Sequence, residues 1–268
     1  MKSYKKRDYI KKSIVTSIVA IMLALVSSVS ASAISNGEPV ADPVTEFPMV
    51  VPVWTNGFTL CSGTLLSQRI VLTSAHCIIG RKILQVEIGA SKLNTVSKYK
   101  VDAVWIHPGY EEVYHHNDLA LLHLNMAVPV TQFAKLPESK QAILDKSFLF
   151  VGWGNVQEGV RTGDLHKLVL DNKTLLAKGL WPTAFDSTIM LGAGKRFADG
   201  VRYGSGCISD SGAPLFTVDG KTIIGVASMA MLPCGSPYPT TFTRLDYYLD
   251  DIKAGMRQVI KNVKWLRR

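Results

Sequence analysis

An all-β architecture, a sandwich or barrel closed by one helix, is what this 268-residue sequence predicts. Short runs rich in Val, Ile, Leu and Thr recur along the chain, and Gly, Pro, Asn and Asp separate them at close intervals, the signature of many short strands joined by turns. Strand runs do not alternate with helix-length amphipathic segments, which argues against a βαβ fold. Only from Asp246 onward do apolar residues take the helical period. A hydrophobic content of 47% with 19% charged residues supplies a core and argues against disorder.

The chain opens on a leader. Lys2, Lys5, Lys6, Arg7, Lys11 and Lys12 face a single acid, Asp8, and the apolar run Ile14 to Val26 that follows is interrupted only by Thr16 and Ser17. Its 13 residues are too few to span a bilayer, which takes about 20, and Ala31-Ser32-Ala33 has the small-x-small form of a signal-peptidase site. Residues 1–33 are therefore expected to be a secretion signal, with the mature chain starting at Ile34 and no membrane span remaining. More than half of the formal charge of +9 lies in that leader, leaving about +4. A nucleic-acid partner loses its main electrostatic support.

Beyond Ile34 the predicted strands are "MVVPVW", "GTLLSQRIVLTSA", "YKVDAVWIH", "LALLHL", "FLFVGWG" and "TIIGVASMA". The more polar "VPVTQFAKLPESK", carrying Pro129 and Pro137, reads as a connection between two halves. The closing helix, expected over about 246–264, places Tyr248, Leu249, Ile252, Met256, Val259, Ile260 and Val263 on one face. Asp246, Asp250 and Asp251 near its start and Lys261 and Lys264 near its end suit the helix dipole.

Four cysteines in an exported chain suggest two disulfides, for which three pairings exist. No C-x-x-C spacing suggests a metal. Cys61 with Cys77 and Cys207 with Cys234 is the economical local choice, each closure worth on the order of 3 kcal/mol in the chain-entropy view.

Three residues carry chemistry only in combination. A serine hydroxyl becomes a nucleophile when an imidazole takes its proton and a buried carboxylate orients that imidazole. His76 in "TSAHC", Asp118 in "NDLALL" and Ser211 in "DSGAPL" supply the three types in that order, with "GWG" at Gly152 to Gly154 between the last two. Together these strings resemble the chymotrypsin-like serine proteases of the trypsin family, in which the corresponding strings are near "TAAHC", "DIALL", "GWG" and "GDSGGPL". The resemblance runs from Ile34 to the closing helix.

That resemblance implies two antiparallel six-stranded β-barrels, the first over about 34–137 and the second over about 138–244, followed by the helix. It implies Ser211 as nucleophile, His76 as general acid and base, and Asp118 as the carboxylate that orients it. The N–H groups of Ser209 and Ser211 would form the oxyanion hole, and the two disulfides would take the local pairing. Ile34, freed at its amine, would pair with Asp210 and order the site, so that removal of the leader itself activates the enzyme. The specificity pocket would have Ser205 at its floor and Gly206, Ser228, Met229, Ala230 and Thr240 around it. This is an elastase-like set that favours small to medium apolar residues before the scissile bond.

The expected partners are protein or peptide substrates and protein protease inhibitors. The expected state is a secreted monomer, with no cofactor and no metal. His115-His116 is a pair that could bind a metal, but beside Asp118 it reads as an exposed loop, and Asn172-Lys173-Thr174 is a glycosylation site only in a host that glycosylates. Ser209 departs from the family, which has glycine there, and so does Met229, which replaces an aromatic residue. Ser209 keeps open a catalytically weak or inactive binding protein on the same scaffold, and an esterase is a third reading.

Overall fold

The computed structural model describes residues 34–55, 59–81, 84–139, 146–181 and 183–266. Within them the chain forms two six-stranded antiparallel β-barrels and a C-terminal helix. The expected leader, residues 1–33, lies outside the described residues, as does the 140–145 part of the polar connection.

A two-residue strand β1 (Glu38–Pro39) is followed by a helical turn α1 (Pro43–Glu46), where the Asp42 carboxylate accepts from the N–H groups of Val44 and Thr45. The first barrel then takes β2 (Val50–Thr55), β3 (Thr59–Ser67), β4 (Ile70–Thr73), β5 (Leu84–Glu87), β6 (Lys98–Ile106) and β7 (Ala120–Leu124). Their order is β2-β3-β4-β7-β6-β5, and Val86 of β5 returns to Val53 of β2 to close the ring. Closure leaves no unpaired sheet edge.

Every residue of β2, β4 and β7 is buried. One face fills the barrel, and the other is covered in turn, by the C-terminal helix on β7 and by Trp153 of the second barrel, whose indole N–H donates to Val50 O. Strands covered on both faces read as continuous apolar runs, which is how they appear in the sequence.

The second barrel takes β8 (Ser147–Gly152), β9 (His166–Asn172), β10 (Met190–Arg196), β12 (Pro214–Phe216), β13 (Ile223–Met229) and β14 (Thr240–Arg244), with a short helix α2 (Thr174–Leu180) and strand β11 (Tyr203–Gly204) between them. The ring β9-β8-β12-β13-β14-β10 closes where Ala193 meets Asn172. Outside it, β1 pairs with β9 and β11 with β10. Residues 34–39, counted above with the first barrel, thus attach to the second. The Ile34 side chain explains this, because it is buried among Phe148, Phe150, Leu215 and Phe242.

The helix α3 (Leu249–Leu266) starts three residues later than the spacing suggests. Asp246 lies in the preceding turn, where its carboxylate receives Nη2 and Nε of Arg244 at 2.7 and 3.1 Å. Leu249, Ile252, Val259 and Val263 form the buried face that crosses β6 and β7, while Ile260 is 41% exposed. Among the described residues, no helix is long and apolar enough to cross a membrane.

Candidate active site

The site lies where the barrels meet, and the first barrel contributes an imidazole and a carboxylate. His76 sits in a single 3-10 turn (Ala75–Cys77) after β4, and Asp118 lies two residues before β7, the strand paired with β4. The Asp118 side chain is fully buried and uses both oxygens: Oδ1 accepts the His76 backbone N–H at 2.9 Å, and Oδ2 lies 2.7 Å from His76 Nδ1. The second barrel adds Ser228, whose hydroxyl donates to Oδ2 at 2.6 Å. Burial alone raises a carboxyl pKa. Here the neighbouring His115 and His76 rings and the Ser228 hydroxyl outweigh it and hold Asp118 well below the usual carboxylate range. A carboxylate that stays ionised under full burial, with His76 only 21% exposed beside it, orients the ring with Nδ1 toward the acid.

Ser211 comes from the turn between β11 and β12. Its carbonyl accepts from Ser62 N at 2.8 Å, Gly212 N donates to Ala227 O, and the Ser74 hydroxyl donates to the same Ala227 O. Ala227 adjoins Ser228, so one stretch of β13 ties the serine turn to both the His76 strand and Asp118. Gly212, at φ 81°, has no room for a side chain, since a Cβ would stand 2.2 Å from both Ser62 O and Thr73 Oγ1.

Asp210, next to Ser211 in the chain, is fully enclosed. Its oxygens accept N–H groups from Gly154 and Cys207, each at 2.9 Å, and a third from Ile34. A Cβ on Gly154 would lie 2.4 Å from the Asp210 carboxyl carbon, which accounts for one glycine of "GWG". Burial pushes the Asp210 carboxyl up to about 7, the three N–H groups offsetting part of the effect. The two disulfides, Cys61–Cys77 and Cys207–Cys234, hold the His76 turn to β3 and the serine turn to the loop before β14.

Beside Ser211 opens a cavity of about 400 Å³, lined by Gly206 to Ser211, Ala227 to Leu232 and Thr240. Gly206, Ser228, Met229, Ala230 and Thr240 are thus brought together, and Thr240 Oγ1 accepts Gly206 N–H at 2.7 Å. Ser205 sits behind Gly206, 2% exposed, with its hydroxyl donating to Gly206 O and its carbonyl accepting from Ser35 N.

The family model for trypsin matches residues 34–252 of this chain. The chain belongs to the trypsin family. Among its relatives, the trypsin Tyr p 3.0101 of Tyrophagus putrescentiae is 30% identical over 207 residues, covering 72% of this chain and 70% of its own. A trypsin-like protease of Streptomyces glaucescens is 31% identical over 267 residues, covering 90% and 91%. The crystal structure of the scabies mite inactivated protease paralogue S-D1 superposes with a TM-score of 0.70 over 82% of this chain and 96% of its own, at 22% identity, a likeness of fold.

The structure also brings two residues to this trypsin-family site to which the sequence assigned no place in it, Arg161 and His115. Ser209 adopts φ 75°, the left-handed conformation that glycine takes without cost and other residues at roughly 1–2 kcal/mol. Its hydroxyl accepts from Nη2 of Arg161 at 3.0 Å, while Nε of the same guanidinium donates to Asn155 Oδ1 at 3.2 Å. Arg161 lies 48 residues before Ser209, on a loop without a recognisable motif. The second is His115, whose ring meets the His76 ring edge to face with centroids 5.0 Å apart. His115-His116 thus divides between two environments, His116 turning away to bring Nε2 within 2.9 Å of Ala184 O.

Proposed function

We propose that the chain is a secreted serine endopeptidase, a protease domain over 34–268 released from a leader at 1–33, that cuts after small to medium apolar residues. The hydrogen bond from the half-buried His76 ring to the fully buried Asp118 carboxylate, beside the Ser211 turn, carries the reading. His76 Nε2 takes the Ser211 proton as Oγ attacks the scissile carbonyl, and Asp118 steadies the imidazolium through Nδ1. The N–H groups of Ser209 and Ser211 receive the charge on the carbonyl oxygen. His76 then protonates the leaving amine, and water repeats the sequence on the acyl-enzyme.

The cavity supports the preference. Ala227, Met229, Ala230, Met231 and Leu232 dominate its wall, and among the described residues lining it Asp210 is the one carboxylate, turned toward Gly154, Cys207 and Ile34. Apolar contacts discriminate by about 1–3 kcal/mol per methylene, so selectivity is broad.

Activation by removal of the leader has support at Ile34. While joined to residue 33, this β-branched residue is held at φ 58°, a strained conformation that ends once its amine is free. The new ammonium would meet the Asp210 carboxylate, whose donors among the described residues are the neutral N–H groups of Gly154, Cys207 and Ile34 beforehand.

Ser209 favours a second reading, a weak or inactive binding protein, because its side chain stands at the turn that presents the oxyanion N–H groups. Mapping every bond cut in a mixture of denatured proteins, by the Ile34-start protein and by its Ser211→Ala variant, decides between them. Cuts after Ala, Val or Leu that vanish with Ser211→Ala are expected. The absence of Ser211-dependent cuts selects the binding protein, and ester turnover without them selects an esterase.

A further inference from the structure

We infer that His76, His115 and Asp118 form a binding site for a divalent transition-metal ion of the zinc class, and that its occupation arrests the proteolysis proposed above, on which this second part rests. One ligand atom from each of the three side chains lies within 4.8 Å of the other two. His115 Nδ1 is buried 3.5 Å from Asp118 Oδ2, near enough to feel its charge but without a well-formed hydrogen bond, so the hydrogen-bonding capacity of that nitrogen is unspent where it faces the cluster. A buried polar atom left so is costly, and an ion that accepts its lone pair removes the cost.

The donor set selects the metal. Two imidazoles and a carboxylate suit zinc and its neighbours, whereas calcium and magnesium take oxygen ligands throughout. Three protein ligands leave a fourth tetrahedral position for water. The site is also built before the ion arrives. His115 and Asn117 both occupy the left-handed region, at φ 55° and 54°. Asn117 holds that shape by donating to Gly109 O and accepting from the Tyr248 hydroxyl, each at 2.6 Å, and the Glu111 carboxylate accepts the N–H groups of Val113 and Tyr114. Binding therefore orders little that is not already ordered.

The consequence for catalysis follows from proton balance. To ligate through Nδ1, His76 must pass the single proton of its neutral ring, the one it shares with Asp118, from Nδ1 to Nε2 by exchange with solvent, and His115 must present its Nδ1 lone pair. The proton that remains on the His76 ring then sits on Nε2, the atom required to accept the Ser211 proton. The base is blocked while the ion stays.

The test begins on the Ser211→Ala protein, whose metal binding is read without activity. Calorimetric titration with Zn²⁺ should give one site, and Co²⁺ should give the visible absorption of a tetrahedral centre. His115→Gln should weaken Zn²⁺ by at least about 100-fold, the upper end of what losing a mere outer-shell partner costs. His116→Gln, whose ring faces Ala184, should leave it unchanged. Nitrogen-15 spectra of histidine-labelled Ser211→Ala protein need no further substitution, and zinc should move the His76 and His115 ring signals. In the Ser211 protein, Zn²⁺ should stop turnover, a chelator should restore it, and Ca²⁺ should do nothing. No binding, equal affinity in His115→Gln, or an unmoved His115 signal overturns the site. Zinc bound without inhibition overturns the arrest. A protein inactive even in chelator removes the protease reading, while the titration still decides the site.

Discussion

At the scale of single residues, the site depends on charge held in the right place under burial. Asp118 retains its charge because three donors surround it, and its Oδ2 sets the tautomer of His76. Asp118→Asn preserves the shape but offers an amide, so the ring turns its basic nitrogen away from the serine. Turnover of an apolar peptide substrate should fall by about 10⁴-fold, the loss in the serine-protease template, with far less change in KM. Ser209 makes a subtler demand. Its left-handed backbone is propped by the Arg161 guanidinium on its hydroxyl. Arg161→Ala should lower kcat by roughly tenfold, since a hydrogen bond to a charged donor is worth about 1.5–3 kcal/mol and this one is partly exposed. In a Ser209→Gly background the same change should have little effect. A double-mutant cycle measures this coupling, and equal losses in both backgrounds would show that Arg161 acts by another route.

At the scale of elements, the closing helix α3 follows the last strand of the second barrel yet packs on β6 and β7 of the first. It thereby straps the barrels together. Tyr248, just before it, reaches Asn117 in the loop that presents Asp118, so docking of the helix and shaping of the site are linked. Ile252 is fully buried in this contact. Ile252→Ala should cost about 2–5 kcal/mol of unfolding free energy, read by denaturant titration. Ile260→Ala, on the exposed side of the same helix, should stay within about 0.5 kcal/mol. Equal effects would place the helix face elsewhere.

At the scale of the whole molecule, the two barrels meet through shared polar contacts. Trp153 of the second donates through its indole to Val50 of the first, and its backbone N–H donates to Ser62 Oγ. Ile34 packs in the core of the second barrel and delivers its N–H to Asp210. With Ile34 still peptide-bonded, burial raises Asp210 to about 7 from an ordinary 3.8, so the folded chain holds its proton more tightly than the unfolded one. The stability from that proton is fully present below pH 4 and is lost as the pH rises through 7. A protein carrying one extra residue before Ile34 should therefore melt lower at pH 8 than at pH 5, by about 2–4 °C for each kcal/mol lost. In the Ile34-start protein the ammonium favours the Asp210 charge, and the difference should shrink. Identical pH dependence in the two proteins would rule out Asp210 as the partner of the new amine.

The sequence by itself determined the all-β class, the closing helix and the family, because strand runs, turn residues and helical period are local patterns that short stretches carry whole. The strands it left unmarked, such as Leu84–Glu87 and Tyr203–Gly204, are only four and two residues long, too short to carry a pattern of their own, and they owe their place to the strands they pair with. The motifs around His76 and Asp118 were legible because each is a compact string, yet their 2.7 Å contact depends on β4 pairing with β7. Only the tertiary structure decided that His115 lies against His76, that Arg161 reaches Ser209, that Ser205 sits behind Gly206 and that Ile34 belongs to the second barrel. Each of these is a contact between distant segments, fixed by barrel closure and by which side chains the closed barrels bury, and no run of neighbouring residues encodes it.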